Sequence, residues 1–81
     1  MSKIEKLVGR LLTKPTDMRF SEVRIIVEHH GFTLRRGGKN HIVVRNQAGR
    51  TITLAVEDNR VKRGYLVELI KLLDLGENDY D

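Results

Sequence analysis

Between Gly31 and Asn46 the chain reads Gly-Phe-Thr-Leu-Arg-Arg-Gly-Gly-Lys-Asn-His-Ile-Val-Val-Arg-Asn, and this stretch restricts the fold more than any other. Apolar and polar residues alternate on both sides of its centre, which is the period of a strand and not of a helix. The centre, Gly37-Gly38-Lys39-Asn40, tolerates positive φ. The spacing therefore predicts two antiparallel strands joined by a loop of those four residues. Everything else in the chain has to hold this hairpin or surround it.

In the first of these strands Phe32 and Leu34 alternate with Thr33 and Arg35, giving one buried and one basic face. In the second, Ile42 and Val44 take one side and His41, Val43 and Arg45 the other. Asn46-Gln47-Ala48-Gly49 reads as a turn with Gly49 at positive φ, and 50–56 as a third strand with Ile52, Leu54 and Val56 toward the core. The three strands form a meander.

Helical periodicity appears on both sides of it. Ile4, Leu7, Val8, Leu11 and Leu12 form one apolar stripe that Ser2 caps and Pro15 ends. After a polar connector over 14–19, Ser21 is the expected cap of a second helix, with Phe20 stapled onto Ile25. Val23, Ile26, Val27 and His30 share its face, and Gly31 supplies the stop. A polar loop over 57–63 leads to Gly64 and a last helix carrying Tyr65, Leu66, Leu69, Ile70, Leu72 and Leu73. The expected fold is a two-layer α+β domain in the order helix, helix, three-stranded antiparallel sheet, helix, with the other sheet face left open. One domain over 1–81 is expected, with 1–14 a helical extension and 76–81 a disordered acidic tail.

Composition narrows the function. The chain has no cysteine, so a disulfide framework and a thiolate metal site are excluded. No apolar run reaches membrane-spanning length and no signal-peptide layout opens the chain, so a cytoplasmic protein without a membrane partner is the default expectation. The net charge of +4 is unevenly placed: Arg35, Arg36, Lys39, Arg45, Arg50, Arg60, Lys62 and Arg63 are opposed only by Glu57 and Asp58 within that span. Such a surface is the footprint of a protein that meets phosphates, and equally of a plain solvated face.

His41 is where chemistry at neutral pH is plausible. RNA cleavage by attack of the 2′-hydroxyl needs a base, charge at the phosphate and a surface for the backbone. His41 fits the base, Arg36, Lys39 and Arg45 are the nearest cations, and Gly37-Gly38 offers backbone N–H groups. No metal or other cofactor is required, and no second acid is evident. His29 and His30 do not make a metal site, because neighbours on a helix point about 100° apart. Gly37-Gly38-Lys39 lacks the spacing and ending of a phosphate-binding P-loop.

Ser21 through Leu73 resembles the HicA (YcfA-like) family of bacterial toxin components. The resemblance is carried by Gly31-Phe32, Arg36, His41 at the position of the motif histidine, Thr51-Ile52-Thr53-Leu54, and Val61-Lys62-Arg63-Gly64-Tyr65 at the start of the last helix. The chain departs from the family pattern at Lys39-Asn40, where Gly-Ser is usual, at Val43-Val44 in place of an aromatic, and at Ala55-Val56 in place of a proline. The resemblance implies a fold like that of double-stranded-RNA-binding domains. It also implies a metal-independent endoribonuclease acting on messenger RNA and restrained by a HicB-like antitoxin. The resulting candidate site has His41 as catalytic residue and Arg35, Arg36, Gly38, Lys39, Asn40, Arg45 and Lys62 as RNA-binding residues. A catalytically silent RNA-binding or protein-interaction module on the same scaffold is the alternative.

Overall fold

Residues 3–73 are described by a computed structural model of the chain; Ser2 as a cap and the acidic tail lie outside the described residues. The elements are α1 (Lys3–Leu12), β1 (Asp17–Arg19), α2 (Phe20–His29), β2 (Thr33–Gly38), β3 (His41–Arg45), β4 (Thr51–Glu57), β5 (Arg60–Lys62) and α3 (Arg63–Leu73). The sheet is antiparallel throughout, in the order β1-β5-β4-β3-β2. The α+β class and the central meander agree with the sequence. The strand number does not: the expected polar connector over 14–19 and the expected polar loop over 57–63 each contain a short strand.

Those two strands pair with each other through Met18 opposite Val61, and β5 returns from β4 with Val56 opposite Val61. The return is made by Asp58 and Asn59, both left-handed at φ 51° and 62°. Two left-handed residues between paired strands match the twist of a hairpin, and Asp and Asn reach that region at less cost than other residues with a side chain. Met18 and Val61 have no exposed surface, so each three-residue strand exists for one buried side chain.

Residues opposite one another in an antiparallel pair share a face. The pairs Leu34 with Val44, Ile42 with Leu54 and Val44 with Ile52 therefore all face the helices. Val44 and Leu54 are fully buried there, while Ile42, Ile52 and Val56 are half-buried. Helices α2 and α3 lie on this side of the sheet and α1 packs on both of them. Leu7 and Leu11 of α1, Val23, Ile26 and Val27 of α2, and Leu66 and Leu69 of α3 complete the core. The first helix thus belongs to the core. Arg10 of α1 also donates to a Glu22 carboxylate oxygen of α2 at 3.0 Å.

The start of α2 differs from expectation. The helix begins at Phe20 after Arg19, which caps it without a side-chain hydrogen bond, and Ser21 lies inside the first turn. Met18 has to enter the core from β1, and this fixes the chain direction into α2 and sets the helix start. Ile25 is 36% exposed, so no staple from Phe20 to Ile25 forms; Phe20 packs against the main core.

Gly31 ends α2 as the sequence predicts. Its φ is 80°, its N–H donates to the Glu28 carbonyl at 3.0 Å, and the Phe32 N–H donates to the Val27 carbonyl at 3.2 Å. This is a Schellman closure, which requires a left-handed residue at that position. A Cβ there would also stand 3.3 Å from the Gln47 side chain. Gly31→Ala is expected to lower stability by about 1–2 kcal/mol, read as a fall in melting temperature.

Candidate nucleic-acid interface

The period of two that buries Val44 and Leu54 places their neighbours on the opposite, uncovered face. There Thr33 pairs with Arg45, Arg35 with Val43, Val43 with Thr53, Arg45 with Thr51 and His41 with Ala55. His41, Arg35 and Arg45 are all exposed. Continuing the register of β4 and β5 by one residue past Val56 and Val61 sets Lys62 beside Ala55. His41 and Lys62 therefore flank a single small residue from neighbouring strands, about 10 Å apart at two strand spacings. Because alanine separates them, no large side chain of β4 stands directly between the imidazole and the ammonium.

The end of the β2–β3 hairpin is built differently from the four-residue loop expected. Both strands continue to a pairing of Gly38 with His41, and only Lys39 and Asn40 connect them. The left-handed residue is Asn40, at φ 61°, and its carbonyl accepts from the Val56 N–H at 2.8 Å. Gly37 forms a bulge between the pairs Arg36 with Ile42 and Gly38 with His41. A Cβ there would stand 2.7 Å from a Val43 methyl, so any side chain at this position requires Val43 to shift. At Gly38 a Cβ would lie 4.0 Å from the His41 Nδ1, so the missing side chain leaves that edge of the ring open.

Expected site residues thus fall on two surfaces. His41, Arg35, Arg45 and Lys62 share the open sheet face, and Gly38, Lys39 and Asn40 form its rim at the hairpin end. Arg36 pairs with Ile42 and so belongs to the helix side, where it reaches a cleft instead of the open face. Arg19 and Arg60, opposite one another on β1 and β5, join the open face; Arg60 belongs to the basic cluster of the sequence but not to the expected site residues, and Arg19 to neither. Their placement follows from strands too short to show a period. Arg60 is held by Asp17 at 2.9 Å. Among the described residues Arg19, Arg35, Arg45 and Lys62 have no ion-pair partner, although Asp17 stands opposite Lys62 and Glu57 opposite Arg60 on the same face.

His41 likewise has no hydrogen-bond partner among the described residues, so no carboxylate or carbonyl fixes its tautomer. His30, by contrast, donates from Nδ1 to the Ile26 carbonyl at 2.8 Å and packs edge-on against His29 with ring centres 5.5 Å apart. That pair closes α2 structurally. Among the described residues no group of three or more His, Asp or Glu side chains is placed to hold a metal ion. No described helix is long and apolar enough to cross a membrane.

Removing Arg45 and Lys62 together is expected to weaken RNA binding and reduce the slope of log K against log salt by about 2, since each lost phosphate contact removes about one unit. Filter binding across a salt series measures it, and an unchanged slope would return both residues to a solvating role. The chain matches no protein-family model, no curated protein and no solved structure.

Proposed function

We propose that this protein is an RNA-binding toxin component of the HicA type, an endoribonuclease that uses His41 without a metal and is held inactive by an antitoxin protein. The observation that carries the reading is the placement of His41 on an uncovered sheet face with Arg35, Arg45 and Lys62, none of which is in an ion pair among the described residues, although Asp17 stands opposite Lys62. The order α2, β2, β3, β4, α3, with helices on one side of an antiparallel sheet, supports the likeness to double-stranded-RNA-binding domains; β1, β5 and α1 are additions to that pattern.

In the mechanism, neutral His41 takes the proton of a ribose 2′-hydroxyl, which attacks its own 3′ phosphorus and expels the 5′-oxygen. Lys62, across Ala55, stabilises the charge that builds on the phosphoryl oxygens, while Arg45, four residues along β3 at about 3.3 Å per residue, holds a neighbouring phosphate of the same backbone. Water protonates the leaving oxygen, because among the described residues no second acid stands beside His41, and the enzyme is accordingly slow. The open face is also where an antitoxin blocks access, with Val43 as the apolar centre of the contact.

The test is cleavage of a long unstructured RNA by the purified chain, which should proceed unchanged in a chelator, together with growth arrest on induced expression. Activity lost in the chelator would remove the metal-free mechanism. The unpartnered imidazole favours a second reading, an RNA-binding module without catalysis. Salt-dependent RNA retention with neither cleavage nor growth arrest would select it.

A further inference from the structure

Three segments distant in sequence converge at the turn end of the sheet: Phe20 at the start of α2, the β2–β3 hairpin from Arg36 to Ile42, and the β4–β5 turn of Asp58 and Asn59. Two backbone hydrogen bonds lock them together, from the Phe20 N–H to the Asn59 carbonyl at 2.7 Å and from the Val56 N–H to the Asn40 carbonyl at 2.8 Å. Between them lies a cleft of 320 Å³ with His41 on its border. Its floor is Phe20, Ile42 and Val56, all half-buried, and its rim is Arg36, Asn40, Asp58 and Asn59, all exposed. A second depression continues past Phe20 to Arg19, Ser21 and Arg60.

The chemistry of this cleft is unlike that of the open face. Its floor offers an aromatic ring and two aliphatic side chains, a surface for a flat apolar ligand face. Its rim offers two amides and a carboxylate, and among the described residues none of these side chains has a hydrogen-bond partner. Amides and a carboxylate pair with the edge of a nucleobase, and guanidinium groups on both sides suit the phosphate attached to it. The volume lies at the lower end of ligand pockets, about 300–1,000 Å³, which fits one nucleotide and not several.

Resting on the RNA-binding reading, and naming which part of the RNA it engages here, we propose that this cleft holds a single unpaired ribonucleotide. Its base stacks on Phe20, its polar edge meets Asn40, Asp58 and Asn59, and its phosphate lies toward Arg36. A base inside a duplex cannot enter such a cleft, so the substrate is single-stranded at this position. Because His41 borders the cleft, the captured nucleotide adjoins the one whose 2′-hydroxyl His41 deprotonates.

Nuclear magnetic resonance titration of the full chain with each of the four ribonucleoside monophosphates tests the cleft by itself. The amides of Phe20, Asn40 and Asn59 are expected to move with at least one nucleotide. A single-stranded decaribonucleotide should bind more tightly than its duplex. Asn59→Gly, which keeps the left-handed turn, should weaken single-strand binding about tenfold, and Phe20→Leu should do the same through lost stacking. Still amides together with wild-type affinity in both variants would overturn the proposal, as would equal binding of duplex and single strand. Nucleotide in the cleft without any RNA cleavage would leave the pocket standing and remove the ribonuclease reading. His41-dependent cleavage with still amides and unaffected variants would do the reverse.

Discussion

Alanine at position 41 is expected to slow RNA cleavage about 10²–10⁴-fold, the usual loss when a positioned general base is removed. The melting temperature should not move. His41 is exposed on the uncovered face and has no hydrogen-bond partner among the described residues, so its removal opens no cavity and strands no polar group. Substitutions at such positions change stability by about half a kcal/mol or less. Cleavage of an unstructured RNA by wild type and variant, paired with thermal melts, separates the two consequences. Equal cleavage would assign the activity to another group, and a collapsed melt would make His41 structural. If the wild type fails to cleave, exchanging Lys39-Asn40 for Gly-Ser is the next comparison. Asn40 occupies a left-handed position, so serine there should cost about 1–2 kcal/mol, and the melt must be read beside the activity.

The parts of the fold that could be read from sequence are those in which several residues repeat one pattern. Five apolar residues at helical spacing announce α1, and alternation over Ile42, Val44, Ile52 and Leu54 fixes which side of β3 and β4 meets the helices. The same alternation puts His41 and Arg45 together on the far side. Strands β1 and β5 escape this kind of reading because each has three residues with one inward side chain, Met18 or Val61, and a single apolar residue has no period. The turn between β4 and β5 is also easily passed over, since Asp58 and Asn59 hold left-handed conformations without a glycine to mark them. Conversely, Gly37-Gly38 draws attention as a turn, while its real constraint is the crowding of Gly37 against Val43 within the strand. The cleft beside His41 was beyond reach for a further reason. Phe20, Arg36 and Asn59 become neighbours only once β5 is recognised as a strand that carries Asn59 back to the start of α2.

Leu54→Ala should cost about 2–5 kcal/mol, the range for a buried leucine truncated to alanine. Leu54 is fully buried at the centre of β4, opposite Ile42 and under the helices, and its removal leaves a cavity between the sheet and the helices. Stability of about 0.05–0.15 kcal/mol per residue sets the scale for a domain of 81 residues, so this one change consumes a large share of the total. At about 4–8 °C per kcal/mol for a domain of this size, the melting temperature should fall by about 8–40 °C, or the variant should be unfolded at the start of the melt. Thr53→Ala supplies the control, because Thr53 is the next residue along β4, is exposed and pairs with Val43 on the open face. Its effect should stay within about half a kcal/mol. A one-residue slip in register would exchange the two outcomes, since every side chain of β4 would change face. A small loss at Leu54 with a large one at Thr53 would therefore move His41 and Arg45 into the core and remove the open basic face on which the RNA reading depends.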